Sequence, residues 1–276
     1  MSFKDIFNID AEVKESAHAR VNLIGEHTDY TGGYVMPTLL SFKNTIEITE
    51  NVTNEFIVYS QHFKEKKAFN DFKKSSDNEW VDYIKGCLHI FFEENKISSR
   101  YLNIYISSDI PLERGISSSS ALCVATLKAL NTFFETKIKD PEIAKLAKKV
   151  EFNYIGVSGG IMDQMVSSIG IHGKAFFMNC KNLEYELINF PENWKFCLID
   201  SEVQRNLRDS SYNERFAELQ EAEKKLGVEY LGGVKKDNFQ TDKFDNNTIA
   251  KRAKHVVFEN DRAVSYTHLR AHETNL

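Results

Sequence analysis

A dense run of hydrogen-bonding side chains follows the first apolar stretch of the sequence. In ARVNLIGEHTDYTGGYVMP, residues 19–37, apolar side chains at Val21, Leu23 and Ile24 are typical of a β-strand. The strand pattern stops at Gly25, and the groups that could do chemistry here are Arg20, Glu26, His27, Thr28 and Asp29. Turns are often polar, but few need so many different hydrogen-bonding groups at once.

A glycine followed by serines stands at a predicted helix start in IPLERGISSSSAL, residues 110–122. The free N–H groups at a helix start and the helix dipole favour a bound anion, and serine hydroxyls can also bind Mg²⁺. The sequence has no GxxxxGK[ST] segment, so this is not a P-loop. The alternative is a plain serine N-cap, and the residues alone leave both interpretations open.

Three further residues carry chemistry in less specific contexts. The segment GGIMDQM places Asp163 behind two glycines, which permit close approach of the backbone to a ligand. Glu151 lies twelve positions earlier, and Tyr212 lies in SSYNER. Taken singly, an aspartate such as Asp163 is usually a helix cap or a surface charge, Glu151 is a solvated carboxylate, and Tyr212 is a half-buried helix residue.

The elements that position these groups mix strands and helices. Period-two and β-rich runs predict strands at 45–50, 55–60, 101–111, 174–180 and 194–201. Apolar residues at helical spacing predict helices within 79–95, 116–135, 140–156, 159–170, 210–227 and 246–264. In the helix that starts DPEIAKLAKK, we expect Asp140 to be the N-cap and Pro141 the first helical residue.

Composition excludes several classes of protein. The 276 residues are 42% hydrophobic and 27% charged, with a net charge of -5, which argues against nucleic acid or an anionic membrane as the main partner. The four cysteines are far apart and form no CxxC pair, so a zinc site or a disulfide framework is not expected. With no signal-peptide pattern and no long apolar stretch, we expect a cytoplasmic protein.

Taken together, four segments resemble the galactokinase family within the GHMP superfamily of small-molecule kinases. Residues 19–37 resemble its sugar signature, and PLERGISSSSA resembles the phosphate-binding motif of the superfamily. GVSGGIMDQ is similar to the segment with the catalytic aspartate, and SEVQRNLRDSSYNERF to the segment with a sugar-contacting tyrosine. The likeness runs in order from about residue 8 to residue 264.

The resemblance implies an α+β fold of two lobes with the active site in the cleft between them. The N-terminal lobe would be like domain 2 of ribosomal protein S5, and the C-terminal lobe would be ferredoxin-like and incomplete here. We expect the first lobe at residues 1–182 and a partial second lobe at 183–264, because glycine-flanked motifs become rarer beyond about residue 180.

The resemblance also implies roles for individual residues. Asp163 would be the base for the anomeric hydroxyl, with Arg20 beside it to stabilise the ionised carboxylate and the phosphoryl group in transfer. The sugar hydroxyls would be held by Glu26, His27, Thr28, Asp29, Gly160, Asp163 and Tyr212. Carboxylates suit this task because they accept hydrogen bonds from hydroxyl groups and reject analogues that lack them.

ATP and Mg²⁺ are the implied cofactors. The phosphates would be wrapped by Glu113, Arg114, Gly115, Ile116, Ser117, Ser118, Ser119 and Ser120. Ser119 and Glu151 would bind the Mg²⁺ that bridges the β- and γ-phosphates. Three departures from the family pattern stand out: Glu113 and Arg114 replace small residues, His18 and Ala19 replace Pro and Gly, and the late glycine-rich motif is absent.

The implied function is ATP-dependent phosphorylation of D-galactose to galactose 1-phosphate by a monomer whose only partner is its sugar. Two alternatives stay open: a 1-kinase for a related sugar such as N-acetylgalactosamine or arabinose, and a sugar and ATP sensor without catalysis. The segment SYTHLRAHETNL shows no helical or strand periodicity and resembles a translated adaptor. We therefore expect residues 265–276 to be non-native and the chain to be truncated at its C-terminus.

Overall fold

The computed structural model describes residues 1–75, 79–111, 114–191, 193–200 and 210–273. Two compact units are present, and each is built from separate stretches of the chain. The first consists of Met1–Ala19, Leu40–Val157 and Asp163–Ile169. The second consists of Arg20–Leu39, Ser158–Met162 and the residues from Gly170 onward. The division of the chain at 182 and 183 into two lobes stays a prediction.

Strands and helices are mixed along the chain. The strands are β1 (Val13–Asn22), β2 (Tyr34–Val35), β3 (Pro37–Glu50), β4 (Phe56–Ser60), β5 (Glu65–Phe69), β6 (Leu102–Ser108), β7 (Lys174–Asn179) and β8 (Tyr185–Asn189). The α-helices are α1 (Phe3–Phe7), α2 (Val81–Asn95), α3 (Ser118–Phe133), α4 (Asp140–Lys149), α5 (Met162–Ile169), α6 (Ser210–Leu226) and α7 (Asn247–Glu273). A π-helix (Val150–Ile155) continues α4, and short 3-10 turns lie at Leu231–Gly233, Lys236–Asn238 and Thr241–Lys243.

A mixed sheet forms the centre of the first unit. Strand β6 pairs antiparallel with β3 and parallel with β4, and β5 pairs antiparallel with β4. In this register Ile104 lies between Ile48 and Val58, and all three side chains are buried. Branched side chains of this kind pack well on a pleated surface.

Helices α2, α3 and α4 share one apolar core with this sheet. Ile84, Leu88 and Phe91 follow one another at helical spacing along α2 and are fully buried. They lie in the same core cluster as Leu127 and Leu130 of α3. The helix that begins with the serine run is therefore held by its apolar face, as its spacing predicted.

The second unit combines short paired strands with two packed helices. Strand β7 pairs antiparallel with β2 and with β8, and Thr38 of β3 lies opposite Ala175. The core that α6 and α7 share contains Leu219, Ala222, Ile249, Ala253, Val256 and Val257. Each helix thus contributes one apolar stripe.

The sequence predicts a strand at 194–201, and this prediction is wrong for residues 194–200. Residues 194–200 lie in neither a strand nor a helix, and Ser201 lies outside the described residues. The side chains of Trp194, Leu198 and Ile199 are exposed. A strand needs neighbours for its backbone hydrogen bonds, and an apolar pattern does not supply them.

Two predictions about helix ends also differ from the structure. Helix α4 begins at Asp140 with Lys139 in the N-cap position, so the predicted cap is wrong by one residue, although Pro141 does lie in the first turn. Helix α7 continues to Glu273, through a segment in which the sequence shows no helical periodicity. Propagating an existing helix needs no new nucleus, which explains the continuation. The non-native origin of 265–276 stays a prediction.

The other predicted helices and strands are confirmed, with shifts at their ends.

No helix in the described ranges has the length and apolarity required to cross a membrane.

Candidate functional site

A strained turn before α3 brings Ser117 to Asp163 in the first unit. Gly115 has φ 71° and Ser117 has φ 63°, which places both in the left-handed region. A residue other than glycine is uncommon there, and such strain collects at functional sites. The Ser117 hydroxyl donates a hydrogen bond to Asp163 Oδ2 at 2.6 Å, and Asp163 lies in the first turn of α5. Among the described contacts, this hydroxyl serves the carboxylate and not the end of α3.

Glu151 is a buried carboxylate with three side-chain donors. It lies in the π-helix, where the hydroxyls of Ser119 and Ser120 each donate to it at 2.8 Å and the Gln164 amide donates as well. Burial raises the pKa of the Glu151 carboxyl, the charge of Asp163 adds to the rise, and these three donors oppose it. The predicted solvated carboxylate is therefore wrong, since Glu151 is 6% exposed.

The oxygen atoms of Ser119 and Glu151 fit a magnesium ion. Mg²⁺ prefers oxygen ligands and is commonly held by one or two carboxylates together with substrate phosphates. Ser119 Oγ and Glu151 Oε1 are 2.8 Å apart and supply one hydroxyl and one carboxylate. Within the described part of the chain, no group of three or more His, Cys, Asp or Glu side chains could hold a metal alone. One hydroxyl and one carboxylate leave most ligand positions of a Mg²⁺ ion to other groups. Ser119 and Glu151 therefore suit a Mg²⁺ ion that is also bound by substrate phosphates.

The predicted phosphate-binding residues lie at and before the start of α3. Arg114 and Gly115 are exposed, Ile116 is half-buried, and Ser118, Ser119 and Ser120 form the first turn of the helix. Glu113 lies outside the described residues. The N–H groups of a first helical turn have no partner within the helix, so this end of α3 can accept an anion.

The sugar-signature loop, residues 25–34, forms a tight turn in the second unit. Gly25 has φ 94° and His27 has φ 67°. Thr28 is fully buried, and its hydroxyl lies 2.8 Å from the Gly25 carbonyl oxygen and 2.6 Å from that of Tyr34. The Thr28 hydroxyl therefore supports the loop, and the predicted contact of Thr28 with a sugar stays a prediction. Glu26 is exposed, and its carboxylate accepts a hydrogen bond from the Asn22 amide at 3.2 Å.

Aromatic rings of α6 pack against this loop within the same unit. His27 Nδ1 lies 2.8 Å from the Tyr30 hydroxyl, and the ring centroids of Tyr30 and Tyr212 are 5.8 Å apart. The His27 and Tyr212 ring centroids are 5.9 Å apart. Burial raises the pKa of the Tyr30 hydroxyl, and the charge of Asp29 adds to the rise, so Tyr30 stays neutral.

Two glycines make room for the side chains of this cluster. A Cβ atom built on Gly160 would overlap the carboxylate of Asp29, and one built on Gly159 would lie 3.2 Å from Tyr212 Cε1. Asp29 and Gly160 are therefore in direct contact, as are Gly159 and Tyr212. The structure thus brings together four of the predicted sugar residues in the second unit: His27, Asp29, Gly160 and Tyr212.

Arg20 lies in β1 and is half-buried. Arg20 belongs to the second unit and Asp163 to the first, and their predicted pairing stays a prediction.

Three contacts of the predicted site residues could not be read from the sequence: Ser117 with Asp163, Gln164 with Glu151, and Glu259 with the N–H of Glu26. Asn260 contacts Tyr34 in the same loop as Glu26. The resemblance assigns Ser117 to the phosphates and gives no role to Gln164, Glu259 or Asn260. A signal exists for Asn260, because Ala253, Val256, Val257 and Asn260 have the i, i+3, i+4, i+7 spacing of one helical stripe. A polar residue on an apolar stripe predicts a buried hydrogen-bonding partner.

Comparison with known proteins identifies the family to which the chain is similar. Residues 82–170 match the family model for the GHMP kinases N terminal domain, and residues 1–49 match the model for the galactokinase galactose-binding signature. Galactokinase of Thermotoga petrophila is 35% identical over 253 residues, which are 91% of this chain and 70% of that protein. Galactokinase of Bacillus subtilis is 32% identical over 264 residues, which are 92% of this chain and 68% of that protein.

A solved structure supports the same relationship. Galactokinase of Lactococcus lactis, crystallised with galactose, matches with a TM-score of 0.87 and 30% identity over 96% of this chain and 72% of that one. The mixed α/β fold expected from the sequence is confirmed by this match. From identity, coverage and fold together, the chain belongs to the galactokinase family of GHMP kinases.

Proposed function

We propose that this protein transfers the γ-phosphoryl group of ATP to the anomeric hydroxyl of D-galactose. The observation that carries the proposal is the similarity, over nearly the whole chain, to a galactokinase solved with galactose. The contact between Asp29 and Gly160, with Tyr212 against the neighbouring Gly159, supports it, because the resemblance assigns Asp29, Gly160 and Tyr212 to the sugar pocket.

Asp163 would act as the base. Its carboxylate would accept the proton of the anomeric hydroxyl as that oxygen attacks the γ-phosphorus in line with the leaving group. The hydrogen bond from Ser117 to Oδ2 fixes the orientation of the carboxylate. Arg20 would stabilise the ionised form of Asp163 and the charge on the phosphoryl group.

The sugar would be held by Glu26, His27, Asp29, Gly160 and Tyr212. Carboxylates accept hydrogen bonds from pairs of sugar hydroxyls, and a buried acceptor without its donor is costly, so analogues lacking a hydroxyl are rejected. The ring of Tyr212 packs beside His27 and Tyr30, which limits its movement.

The nucleotide would be held by residues 113–120, with Ser119 and Glu151 holding Mg²⁺. When bound, Mg²⁺ neutralises charge on the β- and γ-phosphates. The amide N–H groups at the start of α3 would donate hydrogen bonds to the phosphates. We also propose that the protein acts in the cytoplasm as a monomer; its buried thiols Cys87 and Cys123 are unpaired, as in a reducing compartment.

The proposal is tested by measuring ADP release with a panel of sugars. We expect turnover with galactose to exceed that with arabinose and N-acetylgalactosamine. Faster turnover with either of those would identify a 1-kinase for a related sugar. Calorimetric binding of galactose and ATP with no turnover would identify a sensor, and would contradict the proposal.

A further inference from the structure

The late helix α7 contacts the backbone of the sugar-signature loop. Glu259 Oε1 accepts hydrogen bonds from the N–H groups of Gly25 at 2.8 Å and Glu26 at 3.2 Å. Asn260 Oδ1 accepts one from the N–H of Tyr34 at 2.8 Å. Two adjacent residues of α7 therefore hold the loop at its first residues and at its last.

The two carboxylate oxygen atoms of Glu259 accept hydrogen bonds from different partners. Oε2 accepts hydrogen bonds from Arg262 at 2.6 and 2.9 Å, while Oε1 faces the loop. Glu259 is 8% exposed, so its charge is paired within the helix and its hydrogen bonds are mostly shielded from water. Charge-assisted hydrogen bonds to backbone N–H groups are stronger than neutral ones.

The loop depends on these contacts because its own geometry turns N–H groups toward α7. Gly25 has φ 94°, and a Cβ atom there would overlap the Tyr34 carbonyl oxygen, so the two ends of the loop are close together. Asn260 Nδ2 also donates to the Gly232 carbonyl oxygen at 2.8 Å, which fixes the amide that holds Tyr34. His255 Nε2 lies 3.1 Å from the Glu26 carbonyl oxygen, one helical turn before Glu259.

We infer that Glu259 is a positioning residue for sugar binding, which it serves by fixing the backbone that carries Glu26, His27 and Asp29. This inference rests on the proposed function. The effect of Glu259 is transmitted through the N–H groups of Gly25 and Glu26, which donate to its carboxylate. Loss of its oxygen atoms leaves two N–H groups unpaired in the region that must hold three sugar-binding side chains in place.

Four variants of the 276-residue chain and the wild type test the inference. Glu259→Ala removes the acceptor, Glu259→Gln keeps an acceptor oxygen, and Glu259→Asp shortens the side chain. Asp261→Ala is the matched control, because it removes a neighbouring α7 carboxylate that pairs with Lys236 instead of the loop. Each is measured by calorimetry with galactose and, separately, with a non-hydrolysable ATP analogue. Hydrogen exchange of the peptide covering residues 23–35 reports on the loop without any ligand.

We expect Glu259→Ala to weaken galactose binding about tenfold or more, in line with two lost hydrogen bonds, and to leave affinity for the ATP analogue unchanged. Exchange in residues 23–35 should accelerate. Glu259→Gln should restore affinity to within about threefold of wild type, since an amide oxygen can still accept both N–H groups. Asp261→Ala should match the wild type in both assays.

Equal loss of galactose and nucleotide affinity would indicate general destabilisation and overturn the inference, as would unchanged galactose affinity in Glu259→Ala. If that variant is unfolded by circular dichroism, Glu259→Asp takes its place with the same expectations. If the wild type does not bind galactose, the proposed function fails, and the exchange data still decide whether Glu259 fixes the loop: unchanged exchange in residues 23–35 overturns it.

Discussion

Gly160 offers a clean way to disturb the candidate sugar site, because alanine at this position adds one methyl group where the Asp29 carboxylate now lies. The backbone of Gly160 is outside the left-handed region, so the substitution adds no backbone strain and acts through contact alone. The carboxylate must move to another rotamer. If that removes one or two charge-assisted hydrogen bonds to sugar hydroxyls, at about 1.5–3 kcal/mol each, galactose affinity falls at least about tenfold.

Calorimetric titration with galactose measures this loss, and Gly233→Ala is the matched control. Gly233 lies in the same unit, and a Cβ atom built there meets nothing within 4 Å. We expect the control to bind galactose as the wild type does. A comparison of melting temperatures separates the loss of binding from a loss of stability.

A double-mutant cycle shows whether Gly160→Ala acts through Asp29. Asp29→Ala alone should weaken galactose binding by about 2 kcal/mol or more. In the Asp29→Ala background, Gly160→Ala should cost little further, because the group it displaces is gone, so the two effects are strongly non-additive. Additive losses would refute the action of Gly160→Ala through Asp29, and an unchanged affinity in Asp29→Ala would refute the contact between Asp29 and the sugar.

Further predictions concern catalysis, metal and acid stability. Asp163→Asn should abolish turnover while sparing galactose binding, because it removes the proton acceptor and keeps the shape; near-normal turnover would exclude Asp163 as the base. Ser117→Ala should lower kcat about five- to tenfold with little change in the KM for galactose, since one orienting hydrogen bond is lost. Chelation of Mg²⁺ with EDTA should stop turnover, and added Mg²⁺ should restore it; activity that survives chelation would count against the metal site.

The pH dependence of stability gives an independent prediction about Glu259. Burial alone would raise the pKa of its carboxyl, but hydrogen bonds from Gly25, Arg262 and Glu26 outweigh it, and the pKa is lowered. A lowered folded-state pKa gives stability that is present above the pKa of an unfolded glutamate, about 4.3, and lost as the pH falls through the folded value. In Glu259→Gln, the melting temperature should therefore fall less as the pH is lowered through the acid range. The same fall as in the wild type would contradict this.

Local patterns in the sequence predicted most of the elements. Helices α2, α3, α6 and α7 each have an apolar stripe, and that stripe is the face the structure buries. The strand prediction for 194–200 was wrong because a strand also needs neighbouring strands for its hydrogen bonds, and those lie elsewhere in the chain. The prediction that Asp140 is the N-cap was wrong by one residue, because a sequence pattern does not locate a helix end to a single residue.

Contacts between distant residues limited what could be predicted of the candidate site. The resemblance named Asp29, Gly160 and Tyr212, and the structure brings them together. The bond from Ser117 to Asp163 spans 46 residues, and that from Gly25 to Glu259 spans 234. Such bonds depend on how whole helices pack, and no periodicity or capping rule reports them.

The position of the transferred phosphate tests the proposed function most directly. The protein is incubated with ATP, Mg²⁺ and galactose, and the product is examined by phosphorus NMR with coupling to the sugar protons. We expect a phosphate coupled to the anomeric proton, formed in step with ADP and absent when Asp163→Asn replaces the wild type. Phosphate on another hydroxyl, or ATP hydrolysis that does not depend on galactose, would contradict the assignment of this chain as a galactose 1-kinase.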